Sequence, residues 1–114
     1  MPQSKPNIPH SVGELVDHLG MMMLKSPTFK DEYFTNLNID MVFFELNEGL
    51  KFIHKKLGDE RYQKLRALSD RMRAHFEADP EDKTEDALAG RRIIREMEDI
   101  LKSTYRSRKP ASGE

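Results

Sequence analysis

The sequence predicts an all-α fold: an antiparallel helical bundle of four main helices plus one short helix. Three observations predict it. Apolar residues recur at i, i+3, i+4 and i+7 intervals through most of the chain, the period of a helix with one buried face. No segment shows the β-branched alternation of a strand. Helix start and stop signals leave short connections, which make consecutive helices antiparallel neighbours.

The first helix opens at Ser11, where Ser11-Val12-Gly13-Glu14 has the S-x-x-E spacing of a capping box. Val12, Leu15, Val16, Leu19, Met22 and Met23 then form its apolar face, which ends near Lys25. Ser26-Pro27 reads as a fresh N-cap with proline at the first helical position, and predicts a short helix from Thr28 to about Phe34. Asn36 and Asn38 mark a break and a new start. The strongest periodicity follows, Ile39 to Leu57, with Ile39, Val42, Phe43, Leu46, Leu50, Ile53 and Leu57 on one face. Gly58 supplies a stop and Asp59 a cap for a helix from Glu60 to about Ala78. Its inner stripe is Tyr62, Leu65, Leu68, Met72 and Phe76. Asp79-Pro80 ends that helix, because the residue before proline avoids the α conformation. The last helix starts at Thr84 or a neighbour and runs to about Tyr105, burying Ile93, Ile94, Met97, Ile100, Leu101 and Thr104. Gly90 lies on the same face; it either admits a close neighbour or marks a later start.

Size and composition narrow the function. The 114 residues suit one domain, expected over 11–105 between a proline-rich flexible arm, 1–10, and a basic disordered tail, 106–114. Cysteine is absent, which removes disulfides, thiolate metal sites and a cysteine nucleophile. The apolar run Leu19 to Leu24 is far too short to span a membrane, and Met1 to His10 lacks the pattern of a secretory signal. A net charge of -1 argues against bulk nucleic-acid affinity.

No complete catalytic motif is present: the chain has no G-x-S-x-G elbow and no phosphate-binding glycine loop. His18, His54 and His75 fall on three different helices without the Glu-x-x-His pairs of a di-metal bundle, so no metal site and no cofactor are expected. The chain is therefore expected not to be an enzyme.

Two surfaces remain. The stretch Glu77 to Asp86 holds Glu77, Asp79, Glu81, Asp82, Glu85 and Asp86 against a single Lys83. It fails as a calcium loop, since Thr84 stands where counting from Asp79 requires glycine. It is either a solvated loop whose last acids favour the following helix start, or an acidic surface for a basic partner. Opposite the main stripe of the central helix lie Met41, Phe44, Glu45, Glu48 and Phe52. Such a helix is either sandwiched on two sides or presents an aromatic patch rimmed by acids to a partner. Asp79, Glu81, Asp82, Glu85 and Asp86 with that outer face make the candidate protein interface. Arg91, Arg92 and Arg95 offer an alternative, a helical nucleic-acid-binding regulator, blunted by Glu98 and Asp99 beside them. A homodimer seamed at Met41, Phe44 and Phe52 is a third.

The segments Asp31-Glu32-Tyr33-Phe34, Asn38-Ile39-Asp40-Met41-Val42-Phe43, Lys56-Leu57-Gly58-Asp59-Glu60-Arg61-Tyr62 and Phe76-Glu77-Ala78-Asp79-Pro80 resemble small bacterial immunity proteins that accompany polymorphic or contact-dependent toxins. That resemblance implies a cytoplasmic protein that binds and blocks one cognate toxin domain, often a basic nuclease. It carries over no functional residue.

Overall fold

A computed structural model describes residues 6–30 and 37–108. The expected all-α bundle is present, as α1 (Val12–Lys25), α2 (Ile39–Phe52), α3 (His54–Leu57), α4 (Asp59–Ala78) and α5 (Glu85–Arg108). Among the described residues there is no strand, and no helix is long and apolar enough to cross a membrane.

The four long helices form a ring in which each packs on two others: α1 on α2, α2 on α4, α4 on α5, and α5 back on α1. Side chains fix the directions. Ser26 meets Arg91 at one end of the α1–α5 seam, and Gly13 meets Tyr105 at the other. Between α2 and α4, Arg73 bonds Asp40 and Ser69 bonds Asn47, and just past the end of α2 His54 of α3 stacks on Tyr62 of α4. His18 reaches Val42, while Leu15 lies against Gly49. Every adjacent pair is therefore antiparallel.

Phe29 is buried between the start of α2 and the end of α4. Its ring stands edge-on to Phe43 of α2 at 5.8 Å and to Phe76 of α4 at 5.4 Å, and all three are fully buried. To place it there the backbone adopts φ +64 at Phe29. That conformation costs a bulky residue about 1–3 kcal/mol, and burying the ring returns about 1.5–3 kcal/mol. The α5 helix closes on this junction at Gly90, where an added Cβ would lie 2.5 Å from the Phe76 ring. The glycine admits a close neighbour; the helix has already started at Glu85.

Three boundaries differ from expectation. Ser26-Pro27 does not start a helix. Ser26 is the C-cap of α1, its N–H bonding the Met22 carbonyl, and the Ser26–Pro27 bond is cis. Thr28–Lys30 are not helical, and the rest of the expected short helix, 31–36, lies outside the described residues. The short helix of this fold is α3 instead. It arises because the expected helix 39–57 breaks at Ile53, whose φ and ψ of -103 and 21 leave the helical range. Asp59 does not cap α4; it is the first helical residue, and its carboxylate accepts from His54 Nε2 at 2.6 Å. The arm expected at 1–10 is described from residue 6 onward, and within it Pro9 is buried. The α5 helix continues three residues into the expected tail, of which 109–114 lie outside the described residues.

The same substitution should have opposite signs at two glycines. Gly90→Ala forces the Phe76 ring out of a packed junction and should cost about 1–3 kcal/mol. Gly20→Ala, mid-helix and facing open space, should stabilise by about 0.5–1 kcal/mol. Urea denaturation midpoints of the two variants check both.

Candidate docking face on the central helix

The α2 helix begins at Asn38, whose side chain accepts from the Met41 N–H at 2.9 Å. Val42, Phe43, Leu46 and Leu50 then turn into the ring. On the opposite side Phe44 is 48 % exposed and Phe52 is 63 % exposed. Met41 and Glu48 lie beside them, half-buried. Of the two expectations for a helix apolar on both sides, the sandwiched one is excluded among the described residues: the outer rings meet solvent.

Glu45 departs from that face. It is 7 % exposed, because the segment before α1 straps across it. The Asn7 N–H donates to Glu45 Oε2 at 2.7 Å, and the His10 N–H donates to Glu14 Oε1 at 2.7 Å. Pro9 sits between these two anchors on Gly49, where a Cβ would lie 3.1–3.2 Å from the proline ring. The strap thus consumes Glu45 and adds His10, whose ring lies 4.4 Å from that of Phe52. Sequence reasoning missed His10. The available signal was Gly49, a helical glycine of the kind that marks close backbone approach.

Beneath the strap, His18 is nearly buried. Its Nε2–H donates to the Val42 carbonyl at 3.1 Å, and Nδ1 lies 3.9 Å from Glu45 Oε1. Burial lowers its pKa from the ordinary 6.5, against the opposing pull of the Val42 bond and the Glu45 charge. Burial thus favours the neutral ring in the folded chain.

The acidic stretch is largely spent within the fold. Asp79 is 3 % exposed. Burial pushes its carboxyl up. The N–H groups of Lys83, Thr84 and Ala87 and the Thr84 hydroxyl outweigh that and bring it down to about 2. One side chain therefore folds the loop and caps the start of α5, so it offers no charge to a partner. Asp82, at φ 58, accepts from Arg91, and Asp86 accepts from His75 Nδ1 at 2.8 Å. Glu81 pairs with Lys83 at 2.9 Å. Glu85 is exposed. This loop follows the α4 end that holds Asp40, so Phe52 stands twelve residues away, about 18 Å along α2. Met41 and Phe44 are the members of the outer face nearest to it.

Two of the three basic candidates have partners within the fold. Arg91 donates to Ser26 Oγ and to Asp82, and Arg95 lies 3.6 Å from Glu98, while Arg92 is exposed. At the far end of α2 a shallow cleft of about 590 Å³ is lined by Lys51, Phe52, His54, Lys55, Gly58 and Asp59. Among the described residues no group of three His, Cys, Asp or Glu side chains is placed to hold a metal.

No protein-family model, curated protein or solved structure matches the chain.

Two titrations follow from these sites. His18 has a lowered folded pKa, so its contribution to stability is full above pH 6.5 and falls as the pH drops from there toward the folded value. His18→Gln keeps a donor for Val42 and should lose that part of the slope, read as unfolding free energy between pH 7 and 5. Asp79 has the same sign in a lower window: its contribution is full above about pH 3.8 and is lost as the pH falls through about 2. Asp79→Ala should therefore lower the thermal midpoint at pH 7, with the gap to the natural chain closing as the pH approaches 2.

Proposed function

We propose that this chain is a non-catalytic binding protein of the immunity type, which neutralises a cognate bacterial toxin domain by stoichiometric contact. The observation that supports a binding role is the outer face of α2. Two phenylalanine rings stand in solvent there on a helix whose other face is fully packed. Exposed aromatics held on a rigid element are the usual anchors of an interface. The immunity assignment itself rests on the likeness of the four sequence segments quoted above.

The docking surface in this proposal is Met41, Phe44, Glu48 and Phe52, extended by His10. It is narrower than the interface expected from sequence. Glu45 and Asp79 are buried, and Asp82 and Asp86 are paired internally. Glu81 and Glu85 are left as rim charges of the loop. Rim charges act on association rate more than on affinity.

The test uses the toxin domain encoded beside this chain's gene, purified and titrated by calorimetry. Phe44→Ala and Phe52→Ala should each weaken binding by about tenfold or more, equivalent to about 1.4 kcal/mol. Glu85→Lys should change affinity less than threefold and act mainly on the association rate. A genome neighbourhood without a toxin domain, or binding indifferent to both phenylalanines, would count against the proposal.

A further inference from the structure

The segment before α1 lies over a titratable group. Residues 6–10 form no helix or strand. Two backbone N–H groups hold them down, Asn7 on Glu45 and His10 on Glu14, with Pro9 against Gly49 between the two. A short segment held by so few contacts opens at far lower cost than the bundle it covers.

One carboxylate joins this strap to His18. Glu45 gives Oε2 to the Asn7 N–H and turns Oε1 toward His18 Nδ1 at 3.9 Å. The Nε2–H of His18 is spent on the Val42 carbonyl, so in the neutral ring Nδ1 is a bare lone pair facing that oxygen. A proton taken up there puts a second charge into a site whose two side chains are both more than nine-tenths buried. The Val42 bond and the Glu45 charge support the protonated ring, but its lost hydration outweighs them. The surrounding charges give no further relief. Glu14, one turn away on α1, is bonded to the His10 N–H, and the His10 ring lies on Phe52. On α5, the other helix packed on α1, the buried acid is Glu98, which pairs with Arg95.

We propose that residues 6–10 are an acid-released lid: a proton on His18 lifts the strap off Glu45 and lets water reach the ring, while the ring of helices stays folded. Opening takes His10 off Phe52 and returns the Glu45 carboxylate to solvent in the stripe of Met41, Glu48 and Phe52. The outer face of α2 thus exchanges an imidazole for a carboxylate. The device stands apart from the binding role proposed above, and its test needs no partner.

Amide exchange of the full chain by NMR at pH 7 and pH 5.5 tests it, each rate being divided by the unstructured rate at the same pH. Both values stand above the ordinary carboxylate range near 4. Protection of the Asn7 amide should fall several-fold at pH 5.5, with a ceiling of about eightfold for one group that titrates at 6.5 when open. Leu46, fully buried in α2, should stay at least about a hundredfold better protected at both pH values. In His18→Gln the Asn7 protection should be the same at both; His10 is kept there, so any response of its own persists. Linkage supplies a second measurement that does not depend on that variant. Asn7→Pro, a change in the strap alone, removes the N–H that Glu45 holds, and the NMR titration midpoint of the His18 ring should then rise toward 6.5. Asn7 protection that ignores pH overturns the inference, as does a response that survives in His18→Gln. An Asn7 amide no less protected than Leu46 overturns it too, since the strap then opens only with the whole fold. So does a His18 midpoint unmoved by Asn7→Pro.

Discussion

The edge-on contact of Phe29 with Phe43 and Phe76 is the constraint on which the rest of the molecule depends. A residue from the connection after α1 is buried between α2 and α4, and it lies there with a left-handed backbone. The α4 helix is positioned by Phe76, α2 by Phe43, and α5 by the bare backbone of Gly90. Because Phe43 and its neighbours must face this junction, the helical period puts Phe44 and Phe52 on the far side. The exposed rings are thus a consequence of how the core is filled, and a helix with fewer aromatics would have served the core alone.

Carboxylates do much of the remaining structural work. Glu45 holds the strap, Asp79 folds the loop before α5, and Asp82 and Asp86 hold Arg91 and His75. Buried or half-buried acids are retained where hydrogen bonds satisfy them. In this chain the donors are mostly backbone N–H groups, which carry no sequence signature of their own. A tract that looks like a block of free negative charge is therefore, once folded, a set of internal clasps.

The same distinction separates what is legible in the sequence from what is not. Local signals are legible: Ser11 accepts from the Glu14 N–H at 3.0 Å, Asn38 caps α2, and the apolar stripes of α1, α2, α4 and α5 are the buried ones. Signals that depend on distant partners are not. Pro27 has the local look of a helix start, yet the chain there must deliver Phe29 to the core. Ile53 keeps the helical period through a real break. The outer face of α2 is visible as a second stripe, but whether a neighbour covers it depends on the placement of the other helices. Glu45 and His10 exchange roles for the same reason, since only the folded strap brings Asn7 to one and Phe52 to the other.

The α1–α5 seam has a consequence for chain connectivity. The start of α1 and the end of α5 meet where a Cβ on Gly13 would lie 3.3 Å from the Tyr105 hydroxyl. The ring of helices is thus closed in space although the chain is open, and its order around the ring is set by packing and not by sequence continuity. A circularly permuted chain, joined across that seam and opened at exposed Gly58, would keep all four helix interfaces and the clasps of the acidic loop. Opened instead at Lys83, it would sever the segment that Asp79 grips.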